Sequence, residues 1–111
     1  AGLPRRAVPA QAETDLTIDY AYLTAGGSRL LVLESGIHGP ESPAGAAVQA
    51  LVLRDLADSL LARGIDLVLI HAVNPWGFRH GRRPDEANVN LNRNFSADPA
   101  IYRLEAPGYA A

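Results

Sequence analysis

Hydrophobic residues alternate or run together in three segments that predict β-strands. Leu16, Ile18 and Tyr20 alternate with polar residues, as in a strand with one buried face. The runs at residues 30–33 and 67–73 are apolar, which is typical of strands covered on both faces. Each strand is followed by glycine, proline or polar residues, so the strand ends are well marked.

A helix is predicted between the two apolar runs. Residues 42–63 carry valine and leucine at helical spacing, at positions 52, 53, 56, 60 and 61. Ser42 followed by Pro43 matches an N-cap with a first-turn proline, and Arg63 followed by Gly64 matches a helix end. Strand, helix and strand in this order predict a βαβ crossover in a parallel or mixed sheet.

The first 14 residues differ from the rest of the chain. Residues 1–14 are rich in alanine, proline and arginine without periodicity, which predicts a flexible arm, and residues 15–111 form the predicted domain. In the whole chain 48% of the residues are hydrophobic and 20% are charged, the profile of a single globular domain.

Charge and composition exclude several classes of protein. The formal net charge of −2 argues against nucleic acid as a partner, and no apolar run is long enough to cross a bilayer. With no secretion signal recognised, we expect a soluble chain, cytoplasmic by default. The chain has no cysteine, so any bound metal must be held by histidine, aspartate or glutamate.

A candidate metal site follows the first apolar run. His38 and Glu41 lie between a predicted strand and the start of the predicted helix, with Gly36 and Gly39 allowing a tight turn. An imidazole and a carboxylate so placed are half of a His, His and Glu zinc site with an open position for water. The alternative is that the spacing arose by chance and that Glu41 only favours the positive end of the helix.

A candidate anion site follows the second apolar run. Asn88, Asn90 and Asn92 alternate with Val89 and Leu91, which predicts a strand with one face on a polar cleft. The arginines of this region outnumber its acidic residues and favour a carboxylate ligand; they are Arg79, Arg82, Arg83 and Arg93. The alternative is an exposed loop in which the asparagines serve turns.

Two further histidines are not assigned to the metal site. His71 ends an apolar run, where a histidine is more often a core residue with a hydrogen-bond partner than a ligand. His80 lies in a loop rich in glycine and arginine, so we expect it to be solvated.

The order of these motifs resembles the zinc carboxypeptidase superfamily, most closely a bacterial branch of metallopeptidase-like proteins. The motifs are Ser-Gly-x-His-Gly-x-Glu, then Asn-Pro-x-Gly, then Arg-Arg, then Asn-x-Asn-Leu-Asn-Arg-Asn-Phe, and they extend from about Leu16 to Phe95. The resemblance implies the first half of a three-layer α/β/α domain, with a partial mixed or parallel sheet.

The resemblance also implies roles for particular residues. His38 and Glu41 would be the first two ligands of Zn2+, and Arg82 would polarise the scissile carbonyl and stabilise its oxyanion. Asn92 and Arg93 would hold the terminal carboxylate of the substrate. Whether Arg82 or Arg83 is the catalytic arginine stays open, with Arg83 otherwise a substrate-binding residue.

The chain departs from the family at two essential positions. The third zinc ligand, a histidine, and the catalytic glutamate come well after the Asn-Arg pair, but after Phe95 the chain has no histidine and Glu105 as its one glutamate. We therefore expect a catalytically incomplete fragment that lacks the second half of its domain.

Three functional hypotheses follow. The first is a zinc-dependent hydrolase, derived from metallocarboxypeptidases, that cleaves an amide bond next to a free carboxylate in a peptide or an N-acyl amino acid. A variant of this hypothesis is a deacylase of N-acyl amino acids. The second hypothesis is a non-catalytic remnant that binds carboxylates without metal. The third is a plain α/β fragment that needs a partner chain to cover its exposed sheet edge and face.

Overall fold

The computed structural model of the chain describes residues 5–9 and 15–100. Four strands and three helices follow one another within these residues. They are β1 (Arg5–Pro9), β2 (Thr17–Leu23), β3 (Arg29–Glu34), α1 (Ser42–Asp55), α2 (Ala57–Ala62), β4 (Ile65–His71) and α3 (Pro75–His80). Single turns of 3-10 helix lie at Gly39–Glu41 and Leu91–Arg93.

The strands form one mixed sheet in the order β1-β2-β4-β3. β3 and β4 are parallel neighbours, whereas β4 pairs antiparallel with β2, and β2 with β1. Parallel neighbours need a connection that returns to the same end of the sheet, and α1 with α2 forms that crossover. The predicted α/β class, with a mixed sheet and a βαβ crossover, is confirmed.

The core lies between the crossover helices and one face of the sheet. Ala57, Leu67 and Leu69 are 5%, 0% and 5% exposed, and burial of one such leucine contributes about 1.5–3 kcal/mol. Partly buried leucines pack around them, namely Leu23, Leu31, Leu53 and Leu60. On β3 the prediction of burial on both faces is wrong for the described residues, since Leu30 and Val32 on the opposite face are 57% and 49% exposed.

The predicted helix is present, but it is divided and begins differently. It breaks at Leu56, whose φ of −123° and ψ of −22° depart from helical values, so that α1 and α2 are separate. Ser42 is not the N-cap, because the 3-10 turn before it runs directly into α1 and already gives Glu41 helical dihedrals. Gly64 has the expected left-handed backbone, with a φ of +71°. No helix of the described residues is long and apolar enough to span a membrane.

The prediction of a loose arm over residues 1–14 is wrong at Arg5–Pro9. These residues form β1, which pairs with β2 from Arg5 opposite Ala21 to Pro9 opposite Thr17. Pairing along an exposed strand edge uses backbone N–H and C=O groups, so it requires no hydrophobic periodicity, which explains why the sequence pattern did not indicate it. Residues 1–4 and 10–14 lie outside the described residues.

Candidate metal centre

The predicted metal and substrate residues lie on two chain segments that follow the parallel neighbours β3 and β4. Backbone hydrogen bonds join these segments directly. The Val73 N–H donates to the Ser35 carbonyl at 3.0 Å, and the Asn74 N–H donates to the Gly36 carbonyl at 2.9 Å. The pairing of β3 with β4 therefore continues past the strand ends and holds the His38 loop against the segment after β4.

Two glycines allow a close approach between these segments. A methyl group at Gly39 would overlap the backbone of Gly77, and a methyl group at Gly77 would lie 2.6 Å from the Arg82 carbonyl oxygen. A larger residue at Gly39 would push the loop that contains His38 away from α3, and a larger residue at Gly77 would displace Asn74 and the backbone of Arg82. The glycines thus set the distance between the predicted metal ligands and the segment that carries Arg82 and Arg83, here called the arginine segment.

Asn74 is the residue that fixes the arginine segment. Its side chain is 2% exposed, and its Oδ1 accepts from the Gly77 N–H at 2.7 Å, which caps α3. Its Nδ2 donates to the carbonyl oxygens of Arg83 and Pro84 at 3.3 and 3.0 Å. One buried amide therefore positions the backbone that carries Arg83 beside the His38 loop.

His38 and Glu41 converge, as expected from their spacing. His38 is 6% exposed, and its Nδ1 lies 3.2 and 3.3 Å from the two carboxylate oxygens of Glu41. On the other side of the ring, Nε2 lies 3.1 Å from Asn90 Oδ1. The Glu41 side chain is 65% exposed, so its carboxylate remains accessible from solvent.

The contacts of the His38 ring determine where its protons lie. Because the oxygen of Asn90 can only accept, Nε2 carries a proton and donates it. There are then two arrangements at Nδ1. Either the ring carries its second proton there and Nδ1–H donates to Glu41, or Nδ1 has no proton and its lone pair faces the Glu41 carboxylate. The second arrangement requires a cation between the two groups. The Arg83 guanidinium meets this requirement in part, since its Nη2 lies 3.4 Å from Nδ1.

The same spacing suits two ligands of one zinc ion. At zinc–ligand distances of about 2.0–2.2 Å and tetrahedral angles, the two donor atoms lie about 3.4 Å apart. The distances of 3.2 and 3.3 Å from Nδ1 to the Glu41 oxygens are close to that value. Within the part of the chain that the structure describes, no three or more histidine, aspartate or glutamate side chains form a metal-binding group. His38 and Glu41 are therefore two donors without a third protein ligand among the described residues.

Asn92 shares a cavity with the His38–Glu41 pair. The cavity measures about 390 Å³ and is lined by all three residues. Ile37 and Val48 contribute to its apolar wall. The structure thus brings together an imidazole, a carboxylate and an amide around a space large enough for part of a small substrate.

Arg82 and Arg93 are not brought into this group. Both side chains are exposed, and neither lines the cavity that contains His38. Arg83, which contacts His38, is the arginine that the structure places nearest to the predicted metal ligands. Of the two candidates left open by the sequence, Arg83 therefore has the closer position to the pair.

The prediction of an asparagine-lined strand is wrong. Residues 85–90 form a loop, and the 3-10 turn Leu91–Arg93 follows. Asp85 closes the loop, because its Oδ1 accepts from the N–H groups of Ala87 and Val89 at 3.0 and 2.8 Å. Asn88 has a φ of +60°, which no strand contains. The side chain of Asp85 satisfies backbone donors that a strand would have offered to a neighbour.

From the sequence, Asn74 was named only within a motif and Asn90 only among the alternating asparagines, and the contacts of neither residue were predicted. Asn74 carried a usable signal, since asparagine followed by proline matches an N-cap with a first-turn proline, and α3 begins there. Asn90 carried none, because its contact with His38 joins residues 52 positions apart. His71, which was left out of the metal site on the sequence alone, has a hydrogen-bond partner, since its Nδ1 lies 3.0 Å from Ser35 Oγ.

Fold and site together define an α/β domain with a candidate metal centre beyond the carboxyl ends of two parallel strands. The sequence profile of the DUF2817 family, described as a protein of unknown function, matches residues 4–111. Because the match covers nearly the whole chain, the protein belongs to this family. No curated protein matches the chain.

Proposed function

We propose that this chain supplies part of the active site of a zinc-dependent, metallocarboxypeptidase-like hydrolase that cleaves an amide bond next to a free carboxylate. His38 and Glu41 would hold the zinc ion. The observation that carries the proposal is the contact between His38 Nδ1 and the Glu41 carboxylate at 3.2 Å, which calls for a proton or a cation. The order of motifs in the sequence, which resembles the zinc carboxypeptidases, favours a metal cation.

Each neighbouring side chain has a definite part in this proposal. When bound, zinc supplies a Lewis acid that polarises a carbonyl group or lowers the pKa of water. Asn90 Oδ1 accepts a hydrogen bond from the His38 Nε2–H at 3.1 Å, which fixes the ring so that Nδ1 faces Glu41. Asn92 lines the adjoining cavity and can donate its amide hydrogens to a substrate carboxylate.

The arginines supply the positive charge that an anionic substrate requires. Arg83 is the arginine best positioned to contact a substrate bound beside His38 and Glu41, because its Nη2 lies 3.4 Å from His38 Nδ1. The roles proposed for Arg82 at the oxyanion and for Arg93 at the terminal carboxylate rest on the resemblance, and both side chains are exposed and can change rotamer. The third zinc ligand and the general base would come from residues outside those that the structure describes.

Zinc binding by the chain tests the proposal directly. Titration calorimetry at neutral pH should detect zinc binding by the chain. His38→Ala should lower the zinc affinity by more than about tenfold, since even the loss of a residue that only hydrogen-bonds to a metal ligand costs ten- to a hundredfold. The matched control is His80→Ala, because His80 does not line the cavity beside the pair and its ring packs against Trp76 at 4.7 Å between centroids. Equal zinc affinity in His38→Ala and the parent chain would contradict the proposal.

A second candidate function is favoured by the position of Arg83. Its guanidinium already brings a positive charge to His38 Nδ1, so the same geometry also favours a metal-free module that binds carboxylates. Calorimetry with N-acetylleucine in the presence of a chelator separates the metal-free module from the zinc hydrolase. N-acetylleucinamide, which lacks the negative charge, is the control ligand. Arg83→Ala should weaken such binding and Arg54→Ala should not, since Arg54 is exposed and paired with Asp55 on α1.

A deacylase of N-acyl amino acids would use the same site on a smaller substrate. It differs from a carboxypeptidase in what lies on the acyl side of the amide bond. Comparing the affinities of N-acetylleucine and of a dipeptide ending in leucine in the presence of zinc separates the two, because a peptidase gains affinity from the additional residue.

A further inference from the structure

The Arg83 guanidinium and the Glu41 carboxylate approach the same atom of His38. Arg83 Nη2 lies 3.4 Å from His38 Nδ1, and the two Glu41 oxygens lie 3.2 and 3.3 Å from it. A guanidinium can only donate hydrogen bonds, and an imidazole nitrogen that carries no proton has a single lone pair. While Arg83 donates to that lone pair, Nδ1 therefore has none to offer to a metal ion.

The contact on the other side of the ring makes Nδ1 the acceptor. Asn90 Oδ1 lies 3.1 Å from His38 Nε2 and accepts its hydrogen, so in the neutral imidazole the lone pair lies on Nδ1. This lone pair faces the Glu41 carboxylate, and the two groups repel each other unless a positive charge lies beside them. Arg83 provides that charge in the chain without metal. Zinc would meet the same requirement under the proposed function.

Arg83 is anchored by its backbone and not by its side chain. Its carbonyl oxygen accepts from Asn74 Nδ2 at 3.3 Å, and Asn74 is 2% exposed. Arg83 itself is exposed, and among the described residues the contact with His38 is the one hydrogen bond of its guanidinium. That bond, at 3.4 Å, is long. The guanidinium can therefore leave His38 while the segment that carries it stays in place.

The contact with His38 also limits how Arg83 can bind a carboxylate. A guanidinium binds a carboxylate best through two parallel N–H groups, and Nη2 takes part in either of the two possible pairs. In this structure Nη2 is the nitrogen that faces His38. A second carboxylate would also lie near Glu41, whose negative charge opposes its binding.

We propose that the Arg83 guanidinium takes the place of the metal ion at His38 in the metal-free protein, and that its release couples metal binding to substrate binding. The proposal rests on the proposed function, because it requires His38 and Glu41 to be metal ligands. Arg83 must leave Nδ1 before zinc binds there. The released guanidinium stays beside the cavity that His38 and Asn92 line, where it binds the carboxylate of the substrate.

The coupling follows from the two states of Arg83. Zinc and a substrate carboxylate both favour the state in which the guanidinium has left His38. Each ligand therefore raises the population that the other ligand binds, and the two effects are equal in size. The apparent zinc affinity of the metal-free chain is reduced by the fraction of molecules in which Arg83 contacts His38.

The zinc affinity of arginine variants tests the first part of the proposal. Arg83→Ala removes the contact with His38 and keeps the backbone carbonyl that Asn74 holds. Zinc affinity should rise about three- to tenfold in titration calorimetry, because a single exposed hydrogen bond is lost. The matched control is Arg82→Ala, which removes the same charge from the neighbouring exposed position and should raise zinc affinity by less than about twofold.

The coupling is tested with N-acetylleucine. In the parent chain, a saturating concentration of N-acetylleucine should raise zinc affinity about three- to tenfold, and N-acetylleucinamide, which lacks the negative charge, should leave it unchanged. In Arg83→Ala the effect of N-acetylleucine should fall below about twofold. An undiminished effect in Arg83→Ala would mean that the carboxylate binds the metal directly, which contradicts the coupling through Arg83.

The remaining outcomes separate this proposal from the proposed function. Zinc binding by the parent chain that is equal or weaker in Arg83→Ala would overturn the proposal and leave the proposed function intact. An equal rise in Arg82→Ala and Arg83→Ala would do the same, because charge alone would then explain it. If neither the parent chain nor Arg83→Ala binds zinc, both fail. Thermal unfolding shows whether Arg83→Ala is folded, and Arg83→Gln, which keeps a long side chain without the charge, replaces it if it is not.

Discussion

Two carboxylates at opposite ends of the sheet have opposite surroundings. Asp66 lies near the start of β4 and is 6% exposed. Its oxygens accept hydrogen bonds from the Thr24 and Tyr22 hydroxyls at 2.7 and 3.2 Å and from the Ala25 and Gly27 N–H groups at 3.1 and 3.0 Å. Glu41, beyond the end of β3, is 65% exposed and meets His38. The first carboxylate is saturated by fixed donors, and the second retains unused lone pairs.

The difference separates a structural acid from a candidate ligand. Three donors from the segment before β3 and the Tyr22 hydroxyl on β2 converge on Asp66, so this carboxylate anchors that segment and has no capacity left for a ligand. Glu41 can take up a cation without breaking a bond other than its contact with His38. Hydrogen-bond saturation, rather than residue type, therefore distinguishes the candidate ligand Glu41 from the structural acid Asp66.

The largest expected effect is the loss of zinc on changing Glu41. Glu41→Gln removes the charged oxygen that would coordinate the metal. Zinc affinity should therefore fall by about a hundredfold or more, which exceeds the effect of losing a residue that only hydrogen-bonds to a metal ligand. Asp66→Asn makes the same change of charge at the other end of the sheet and should leave zinc affinity unaltered. Titration calorimetry on both variants measures the contrast, and equal losses would remove the distinction between the two carboxylates.

A smaller loss of zinc affinity is expected at Asn90. Asn90→Ala leaves the His38 Nε2–H without its acceptor at 3.1 Å, which frees the ring to turn. Affinity should fall about ten- to a hundredfold. Asn90→Asp retains an acceptor and should restore binding, which distinguishes orientation of the ring from a general disturbance of the loop. No recovery in Asn90→Asp would mean that Asn90 acts only through the shape of its loop.

The frame of the fold was predictable because it depends on local patterns. The apolar runs, the helical spacing between them and Gly64 at the helix end predicted β3, the crossover and β4. The approach of His38 to Glu41 was also predictable, since the two residues are three positions apart and the neighbouring glycines allow a tight turn. Their roles in metal binding stay a prediction.

Long-range pairing was not accessible from one sequence. β4 separates β2 from β3, so residues 24–28 join strands that are not neighbours rather than forming a hairpin. The contact between His38 and Asn90 likewise depends on how the chain returns after α3. The alternation of asparagines was misleading because a loop closed by Asp85 produces the same pattern as a strand over a few residues.

The third prediction concerns the stability that Asp66 provides. Hydrogen bonding, from Thr24 first and then from backbone N–H groups and Tyr22, holds the pKa of Asp66 below its usual value, against the opposite effect of burial. Because the folded-state pKa is lowered, the contribution is complete above the unfolded-state pKa of about 3.9 and is lost as the pH falls through the folded-state pKa. Asp66→Asn should therefore lower the melting temperature at neutral pH, by on the order of 10 °C.

The pH dependence provides the control for this effect. Below the folded-state pKa the parent chain has a protonated Asp66, so the difference in melting temperature between it and Asp66→Asn should shrink with acidification. Thermal unfolding followed by circular dichroism from pH 7 to pH 2.5 measures both curves. A difference that does not change with pH would show that Asp66 acts through packing and not through its charge.

The smallest effect is expected from a carboxylate that is well paired but exposed. Asp15 forms two hydrogen bonds with Arg79, at 3.0 and 2.7 Å, yet its side chain is 66% exposed. The bond to Arg79 lowers the pKa of Asp15, but solvent screens the pair, and Asp15→Asn should lower the melting temperature by less than about 3 °C. Asp66 and Asp15 thus both have partners and differ in burial. A loss in Asp15→Asn as large as in Asp66→Asn would show that the number of hydrogen bonds, and not their shielding from water, makes a carboxylate structural in this fold.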